Sequence, residues 1–280
     1  MWALAGWPTV LMGSSGAMTE AKKLALVTGA SGGIGLELAK QFVLHDYDLV
    51  VCAEEEAIHQ AADALAVSGA VITPVQVDLR TYDGVESLYT AVKGTGRPLD
   101  AAALNAGVGL GGRFVENDLT AELDMIDLNV KSTVHLAKRV LGDMVARNQG
   151  RVLITSSIAS TMPGSFQAVY NGTKSFLQSF AEAVANELKD TGVVITSLMP
   201  GPTDTNFFHR AEMDDTKVGQ GSKDDPAEVA RQGFEALMDR DQKVVAGSLK
   251  TKSMAAADKV LPDALKAEQH RKMAEPGSGS

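Results

Sequence analysis

The sequence predicts a doubly wound α/β fold, in which seven mostly parallel strands form the sheet of a single domain. Two observations carry this prediction. Short apolar, partly β-branched runs such as "LALV" and "DLVVCA" are typical of strands buried inside a parallel sheet. A helical pattern separates each run from the next, and the composition does not change before about residue 250. Such a sheet has right-handed crossover connections.

The helices and strands follow one another in a regular order. After "LALV" come a glycine-rich turn, a helix carrying Leu38 and Phe42, and the strand "DLVVCA". Two helix-strand pairs follow, "AIHQAADALAVSG" with "VITPVQV" and "DGVESLYTAVKG" with "LDAAALNAG". One long helix, "AELDMIDLNVKSTVHLAKRVLGDMVARN", precedes the strand "GRVLITSS", and a helix beginning near Tyr170 precedes "GVVITSLMPG". The last pair is "DPAEVARQGFEALMDR", capped by Asp225 with Pro226 at its first position, and "QKVVAG".

Both ends of the chain lie outside the predicted domain, which covers residues 21–249. Residues 1–20 are apolar, but they lack the basic start of a signal peptide and are too short to span a membrane. We therefore expect a disordered leader rather than a targeting segment. Residues 250–280 predict a helical extension, interrupted by Pro262, and a flexible tail, "EPGSGS". Covering the site, packing on a partner and lying on a membrane are alternatives for this extension; charges on all its sides favour simple packing.

Composition excludes several classes of function. The formal net charge is −9 and no run of Lys and Arg stands out, so we expect no nucleic-acid partner. No segment is long and apolar enough to predict a membrane span. The single cysteine, Cys52, cannot form an internal disulfide and fits a reducing cytoplasm, where we expect the protein. No His, Cys or carboxylate cluster has the spacing of metal ligands, so we predict no metal.

The motif "TGASGGIG" stands between the first strand and the first helix. Its glycines permit a tight turn and the close approach of a pyrophosphate, and the helix N-terminus adds free N–H groups. A purely structural turn also uses glycine, but the position after the first strand favours nucleotide binding. The predicted contacts are Gly29, Ser31, Gly33, Ile34 and Gly35.

Polar residues follow several later strands, at the edge where such sheets bind ligands. Asp78, next to Leu79, suits an adenine amino group, although capping of the next helix is an equal alternative. Asn105, Ala106 and Gly107 end the fourth strand, where an ordinary turn is the alternative to cofactor contact.

The fifth and sixth strands also end in polar or turn-forming residues. Ser156 and Ser157 end the fifth strand, and alternation along a strand allows only one of them to face the site. The sixth strand ends at Pro200 and Gly201, followed by Thr203 and Thr205 as donors to an amide or phosphate.

Two further features lie on predicted helices. Asn129 falls among apolar neighbours in the long helix, so its amide needs either backbone partners or a water chain. Tyr170 and Lys174 are four residues apart, just over one helical turn, and therefore share a face. The pair is either a surface accident or an acid with an adjusted pKa.

Taken together, these motifs resemble the classical short-chain dehydrogenase/reductase family over about residues 22–247. The ordered set comprises "TGASGGIG", "NAG", Asn129, Ser157, "YNGTK" and "PG", and the gap of thirteen positions before Tyr170 selects Ser157 over Ser156. The resemblance implies a Rossmann fold, an NAD(P) cofactor and a catalytic set of Asn129, Ser157, Tyr170 and Lys174. It also implies a homodimer or homotetramer.

The resemblance implies a proton-coupled hydride transfer between a secondary alcohol and a ketone. Tyr170 would exchange the proton, and Lys174 with the nicotinamide charge would lower its pKa from the ordinary value of about 10. Lys174 would also hold the nicotinamide ribose and Ser157 the substrate oxygen, while Asn129 would hold a water.

The cofactor preference follows from a departure from the family pattern. Acidic residues follow the second strand, where NADP-dependent relatives commonly carry an arginine. A carboxylate there accepts hydrogen bonds from ribose hydroxyls and repels a phosphate, so we favour NAD(H) over NADP(H), with Glu54 as the contact.

The substrate prediction rests on the apolar segments near the site. Phe207, Phe208 and Met213 follow the sixth strand, where they form either an apolar substrate wall or ordinary packing. We therefore expect a small or apolar alcohol or ketone. The competing hypotheses are a catalytically silent nucleotide-binding scaffold or sensor, and a non-redox reaction at the same site.

Overall fold

The computed structural model of the chain describes residues 22–258 and 261–279, so the predicted leader lies outside the described residues. Seven strands form one sheet in which every pairing is parallel, as the sequence predicts. They are β1 (Lys23–Thr28), β2 (Tyr47–Ala53), β3 (Ile72–Gln76), β4 (Ala101–Leu104), β5 (Gly150–Thr155), β6 (Val193–Pro200) and β7 (Lys243–Ala246).

The order across the sheet is β3-β2-β1-β4-β5-β6-β7, so the direction of winding reverses between β1 and β4. In an open parallel sheet, this reversal opens a crevice at the carboxyl ends of the strands. The residues that follow the predicted strands therefore all lie at the carboxyl ends of the strands, on the same side of the sheet.

Helices cover both faces of the sheet. The longer helices before residue 240 are α1 (Gly33–Leu44), α2 (Ala57–Ala66), α3 (Tyr82–Gly94), α4 (Leu119–Ile126), α5 (Ser132–Ala146), α6 (Ala168–Glu187) and α9 (Pro226–Met238). The short helices α7 (Phe207–Arg210) and α8 (Lys217–Gln220) lie between β6 and α9. One apolar core lies under α3, α5 and α6, and the other lies under α1, α2 and α9. The doubly wound prediction is therefore confirmed.

Two residues illustrate how the strands tolerate their sequences. Pro74 lies in β3, which pairs with β2 and lies at the edge of the sheet, where a residue without an N–H is accepted. Cys52 lies in β2 with no exposed surface, and burial raises the pKa of its thiol to about 12. The thiol therefore behaves as a small core side chain.

The single long helix predicted before β5 differs in the structure. It is divided into α4 and α5 by a π-helical turn, Asp127–Lys131, which has Asn129 at its centre. Such turns insert one residue into a helix and redirect the side chains around it. The bonds that Asn129 makes outside its own helix, described below, account for the interruption.

The segment after β7 contains α10 (Leu249–Ala257) and α11 (Asp263–Ala274). Pro262 precedes α11, and Asp225 caps α9 by accepting a bond from Ala227 N, both as predicted. Within the predicted tail, Gly277 N donates a hydrogen bond to Asp215 Oδ2 at 2.7 Å. None of the helices within the described ranges combines the length and apolar character needed to cross a membrane.

Candidate active site

The turn between β1 and α1 is shaped by its glycines. Gly29 and Gly33 have φ values of +67° and +53°, in the left-handed region that glycine adopts without strain. A Cβ atom on Gly35 would lie 2.0 Å from Gly29 O, so only glycine fits there. The turn also carries Ser31 and Ile34 to the start of α1, where N–H groups lack helical partners. This cradle fits the pyrophosphate of a dinucleotide.

Thr28 and Asn105 join three strand ends behind this turn. Thr28 Oγ1 accepts hydrogen bonds from the N–H groups of Asn105 and Ala106, each at 2.9 Å. Asn105 Nδ2 donates to Thr28 O at 3.2 Å, and Asn105 Oδ1 accepts from Thr155 Oγ1 at 3.0 Å. The polar side chain of Asn105 therefore holds the backbone that carries Gly107.

The predicted adenosine end of the crevice holds an unexpected cation. Arg80 Nη2 lies 3.2 Å from Glu54 Oε2, and Arg80 Nε donates to Asp78 Oδ1 at 2.9 Å. Arg80 Nη1 lies 3.4 Å from Asp124 Oδ2. Hydrogen bonding from Arg80 holds the pKa of Asp78 below its ordinary value. Both carboxylates that the sequence assigns to the adenosine are thus paired with one guanidinium.

The alternative role considered for Asp78, capping of the next helix, is wrong. Thr81 caps α3, because its Oγ1 accepts a hydrogen bond from Gly84 N at 3.0 Å. Asp78 Oδ1 instead accepts from Arg80 N at 2.9 Å. The neighbouring Leu79 side chain is buried in the core under α3.

Asn129 is fully buried, and its side chain is bonded to protein groups. Its Oδ1 accepts from Val108 N at 2.9 Å, and its Nδ2 donates to Val108 O at 2.9 Å and to Thr173 Oγ1 at 3.0 Å. Of the two alternatives for this amide, the side chain takes backbone partners. A Cβ on Gly107 would lie 3.1 Å from Asn129 Oδ1 and 3.4 Å from Lys174 Nζ, so these two groups flank the crevice backbone.

Tyr170 and Lys174 lie in the first turns of α6, and both are buried. Lys174 Nζ donates to Thr155 O at 3.0 Å and lies 5.8 Å from the centroid of the Tyr170 ring. Burial lowers the pKa of Lys174 to about 8. The pair is therefore part of the interior of the crevice, and the surface-accident alternative is wrong.

The two serines after β5 point to different partners. Ser157 Oγ accepts a hydrogen bond from Ala159 N at 3.1 Å, and its hydroxyl is near enough to Tyr170 to lower the pKa of the phenol. Ser156 Oγ donates to Lys174 O at 2.9 Å. The structure therefore brings Ser157, rather than Ser156, to the tyrosine.

In the chain by itself, burial is the largest influence on the pKa of Tyr170. Burial raises the pKa of Tyr170 to about 12 and outweighs the lowering by the Ser157 hydrogen bond. A low-dielectric surrounding disfavours the phenolate, and one neutral hydroxyl compensates for only part of that cost. A positive charge beside the ring, such as the nicotinamide charge that the resemblance implies, would act against this effect of burial.

The segment after β6 lies over the glycine turn and begins with residues predicted to contact the cofactor. Pro200 O accepts from Ser157 Oγ at 3.5 Å, and Thr203 Oγ1 donates to Gly201 O at 2.9 Å. Thr205 Oγ1 accepts from Phe207 N at 3.2 Å. Both threonine hydroxyls thus have partners in the local backbone. A Cβ on Gly33 would lie 3.0 Å from Thr205 Cγ2, which shows how closely the two segments approach.

The predicted apolar wall is divided between two environments. The Phe207 ring centroid lies 5.3 Å from that of Tyr170, so Phe207 covers the tyrosine. Phe208 and Met213 instead pack in a small core with Ala211 and Ala274, as the packing alternative expects. We call residues 203–221, which include α7 and α8, the lid.

The helix α11 joins the lid to the loop that precedes Tyr170. His270 Nδ1 lies 2.8 Å from Ser165 O, and Ser165 Oγ donates to Ala267 O at 3.1 Å. Lys266 Nζ donates to Thr161 O at 3.2 Å. Because Ala274 lies in the core of the lid, α11 contacts both walls of the substrate side of the crevice.

Several residues of this site were missed by sequence reasoning. Arg80 lies two residues after Asp78 in "VDLR", and Thr28 opens "TGASGGIG", so membership of a quoted motif was the available signal for both. Arg210, in the lid, lies 2.8 Å from Glu55 through its Nη2 atom, and Ser31 Oγ donates to the same carboxylate at 3.3 Å. No local pattern identifies that contact, because its members come from three separate segments of the chain. Within the described residues, no group of three or more His, Cys, Asp or Glu side chains is placed to hold a metal.

The strand order, the glycine turn and the buried tyrosine and lysine together define a dinucleotide-dependent oxidoreductase class. The family model for short chain dehydrogenases matches residues 23–216, and the chain belongs to that family of enzymes.

Similar proteins include curated sequences and solved structures. Oxidoreductase UcpA of Salmonella typhimurium is 29% identical over 218 residues, covering 77% of this chain and 80% of that protein. Human retinol dehydrogenase 8 is 32% identical over 196 residues, covering 68% of this chain and 62% of that protein. A short chain dehydrogenase/reductase from Burkholderia phymatum in complex with NAD superposes with a TM-score of 0.77 at 22% identity, covering 85% of this chain and 92% of that one. A short-chain dehydrogenase from Sphingobium yanoikuyae in complex with NADPH gives 0.73 at 23% identity, covering 85% and 94%.

Proposed function

We propose that this oxidoreductase interconverts a secondary alcohol and a ketone with a nicotinamide dinucleotide, using Asn129, Ser157, Tyr170 and Lys174. The observation that carries the proposal is that Ser157, Tyr170 and Lys174 are all buried at one place, with Lys174 Nζ 5.8 Å from the centroid of the Tyr170 ring and bonded to Thr155 O beside Ser157. The glycine cradle lies at the same carboxyl edge of the sheet and supplies the dinucleotide site.

The chain's own residues would handle the proton and the substrate oxygen. When bound, the nicotinamide supplies or accepts the hydride. In the reductive direction the Tyr170 hydroxyl would donate its proton to the substrate oxygen, while the Ser157 hydroxyl donates a hydrogen bond to the same atom. Lys174, held by Thr155 O, would contact the nicotinamide ribose and place its ammonium near the phenol. Asn129 would fix the loop through Val108 and keep the backbone beside Lys174 in place.

We further propose that NAD(H) is preferred over NADP(H). Glu54 follows β2, where its carboxylate would accept hydrogen bonds from the adenosine ribose and oppose a 2′-phosphate. Gly29, Ser31, Gly33, Ile34 and Gly35 would surround the pyrophosphate, and Asp78 and Leu79 would lie beside the adenine.

An apolar substrate is the proposal best supported on the other side of the crevice. Phe207 covers Tyr170, so a ligand that reaches the tyrosine would contact an aromatic ring. The relative named for retinol, an apolar alcohol, is in keeping with this proposal. Cytoplasmic location remains a prediction based on the buried Cys52.

We also propose that the protein is a homodimer or homotetramer. An exposed apolar stripe runs along α4 at Leu119, Leu123 and Ile126, with positions i, i+4 and i+7 on one helical face. Phe176 on the adjacent α6 is also exposed. A stripe of this kind is suited to burial against a second copy of the chain.

The first test is turnover of alkyl and aryl ketones with stoichiometric loss of NADH. Tyr170→Phe removes the proton donor while keeping the ring, so we expect kcat/KM to fall by roughly 10²–10⁴ with NADH binding retained. Ser157→Ala should lower kcat by about 10²–10³, because it removes the donor to the substrate oxygen.

The neighbouring Ser156→Ala is the matched control, since its hydroxyl bonds to Lys174 O rather than to Tyr170. Full activity of Tyr170→Phe would exclude the proposed chemistry. Tight NADH binding without turnover of any carbonyl would favour the catalytically silent scaffold instead.

A further inference from the structure

Arg80 is surrounded by carboxylates from three elements at the adenosine end of the crevice. Asp78, which follows β3, accepts a bifurcated hydrogen bond from Arg80 Nε, at 2.9 Å to Oδ1 and 3.0 Å to Oδ2. Glu54, which follows β2, lies 3.2 Å from Nη2, and Asp124 on α4 lies 3.4 Å from Nη1. The planar guanidinium therefore uses all three of its nitrogens, each toward a different side.

Asp78 acts as the anchor of this arrangement. Besides the bond from Arg80 Nε, Asp78 Oδ1 accepts a hydrogen bond from Arg80 N at 2.9 Å. The arginine is therefore held at both its backbone and its guanidinium group. With Nε fixed by Asp78, the direction of the two terminal nitrogens is also fixed. One of them consequently faces Glu54, whose own side chain is half exposed and would otherwise sample several rotamers.

The acidic stretch after β2 is therefore less repulsive to a phosphate than its sequence suggests. Glu54 is paired with Arg80, and Glu55 is paired with Arg210 of the lid at 2.8 Å. A carboxylate paired with a guanidinium still accepts hydrogen bonds from a hydroxyl, but the pair repels a nearby phosphate less than an unpaired carboxylate does. The discrimination between the two cofactors then depends on the pair, rather than on Glu54 alone.

We propose that Arg80 is a specificity-determining residue for the cofactor, which positions Glu54 to accept the ribose hydroxyls and is itself the cation that a 2′-phosphate would bind once Glu54 is removed. The proposal rests on the proposed function, because it requires a dinucleotide with its adenosine at the ends of β2 and β3. Because the cation is already present, neutralising Glu54 is enough to admit NADPH, and no arginine has to be introduced.

The test is equilibrium binding of NADH and NADPH, followed by nicotinamide fluorescence, for four proteins: the natural chain, Glu54→Gln, Arg80→Gln and the double variant. We expect Glu54→Gln to tighten NADPH binding by about tenfold, since a charge-assisted bond to the phosphate becomes available. We expect Arg80→Gln to weaken NADH binding by roughly two- to fivefold, as an exposed ion pair allows. The double variant should lose the NADPH gain.

Arg139→Gln is the matched control, because Arg139 is an exposed arginine paired with Glu86 at 2.8 Å, away from the crevice. A NADPH gain that persists in the double variant would overturn the proposal. Equal changes for both cofactors in Arg80→Gln would overturn it as well.

The same titration separates the proposal from the function on which it rests. If the natural chain binds NADPH more tightly than NADH, the proposed NAD(H) preference is contradicted. If Arg80→Gln then weakens the binding of NADPH but not that of NADH, Arg80 is still supported as the residue that determines cofactor specificity. Binding of neither nucleotide would overturn both proposals.

Discussion

Lys174 is the residue at which activity and stability are most directly opposed. Its side chain is 5% exposed, and its ammonium donates to Thr155 O at 3.0 Å. Burial of a charge in a low-dielectric interior costs free energy that one carbonyl bond does not recover. The lowering of the Lys174 pKa to about 8 is the signature of that cost.

The first prediction concerns Lys174→Met, which keeps a long side chain and removes the charge. The unfolded chain keeps this proton up to the ordinary pKa of about 10.4, whereas the folded chain releases it near 8. The destabilisation caused by Lys174 is therefore relieved as the pH rises from about 8 to about 10.4. At pH 7 the native state carries the full cost. We therefore expect the variant to be more stable by about 1–3 kcal/mol at pH 7 and to lose turnover.

Urea unfolding of the cofactor-free protein at pH 7 and pH 10 checks this prediction. The gain should shrink at pH 10, where the natural lysine is neutral in the fold. Lys138→Met is the control, because Lys138 is exposed on α5 and its substitution should change stability by less than about 0.5 kcal/mol. A destabilised Lys174→Met at pH 7 would contradict the argument.

At the residue scale, the sequence identified the side chains of the proposed catalytic set but not the residues with which the site's carboxylates pair. Ser157, Tyr170 and Lys174 fall in recognisable positions relative to strand ends and helical turns. The pairing of Glu54 and Asp78 with Arg80 requires the ends of two strands to be brought together, so no single stretch of sequence encodes it. The raised pKa of Tyr170 likewise arises from burial, which depends on the lid and the sheet together.

At the element scale, the C-terminal helix α11 supports the substrate side of the crevice. It contacts the loop before Tyr170 through His270 and Lys266, and it contributes Ala274 to the lid core. Burial lowers the pKa of His270, so the imidazole is neutral near pH 7 and its ring is accommodated without a buried charge. The lid is therefore supported by an element that begins more than forty residues after the lid ends.

The second prediction is that ending the chain before Pro262 impairs substrate use more than cofactor binding. Loss of α11 exposes Phe208 and Met213 and removes the bonds to Thr161 and Ser165. We expect the KM for a ketone to rise by about tenfold, because the lid and the loop are no longer held, while the Kd for NADH changes little.

Steady-state kinetics and limited proteolysis of the lid would measure these effects. Faster cleavage within residues 203–221 is expected in the shortened chain. Lys272→Ala, which alters an exposed side chain of α11, serves as the control and should leave both measurements unchanged. An unaltered KM in the shortened protein would assign α11 to packing alone.

The element boundaries show what local patterns encode. Alternating apolar runs and helical periods predicted all seven strands, because burial on both faces of a parallel sheet leaves a strong local signal. The π-turn at Asp127–Lys131 was not predicted, because it depends on the bonds of Asn129 to Val108, which lies 21 residues earlier. Helical periodicity on both sides of the turn gave no sign of the interruption.

At the scale of the whole molecule, the apolar stripe on α4 and α6 is a surface that a second copy of the chain would cover. Leu119 is 68% exposed and Leu123 51% exposed, although both lie on a helix whose other face packs against the domain. Since α6 also carries Tyr170 and Lys174, association through this stripe would stabilise the helix that holds two residues of the proposed catalytic set.

The third prediction is that Leu123→Glu yields a monomer. A carboxylate at the centre of a buried apolar interface would have to be desolvated, so association should weaken by at least about 100-fold. Light scattering coupled to size-exclusion chromatography measures the mass directly. Val67→Glu is the control, since Val67 is 88% exposed beyond the end of α2 and its substitution should leave the mass unchanged. A monomeric natural chain would refute the proposed oligomer.

Cys52 gives the molecule a chemical property that follows from its place in β2. A thiol with no exposed surface and a pKa near 12 presents neither access nor thiolate to an oxidant or an alkylating reagent. Because Cys52 is the sole cysteine of the chain, covalent modification of a thiol requires the central strands to separate first. The rate of thiol labelling therefore measures how often the sheet opens. The folded protein should tolerate oxidising agents that inactivate enzymes through accessible thiols.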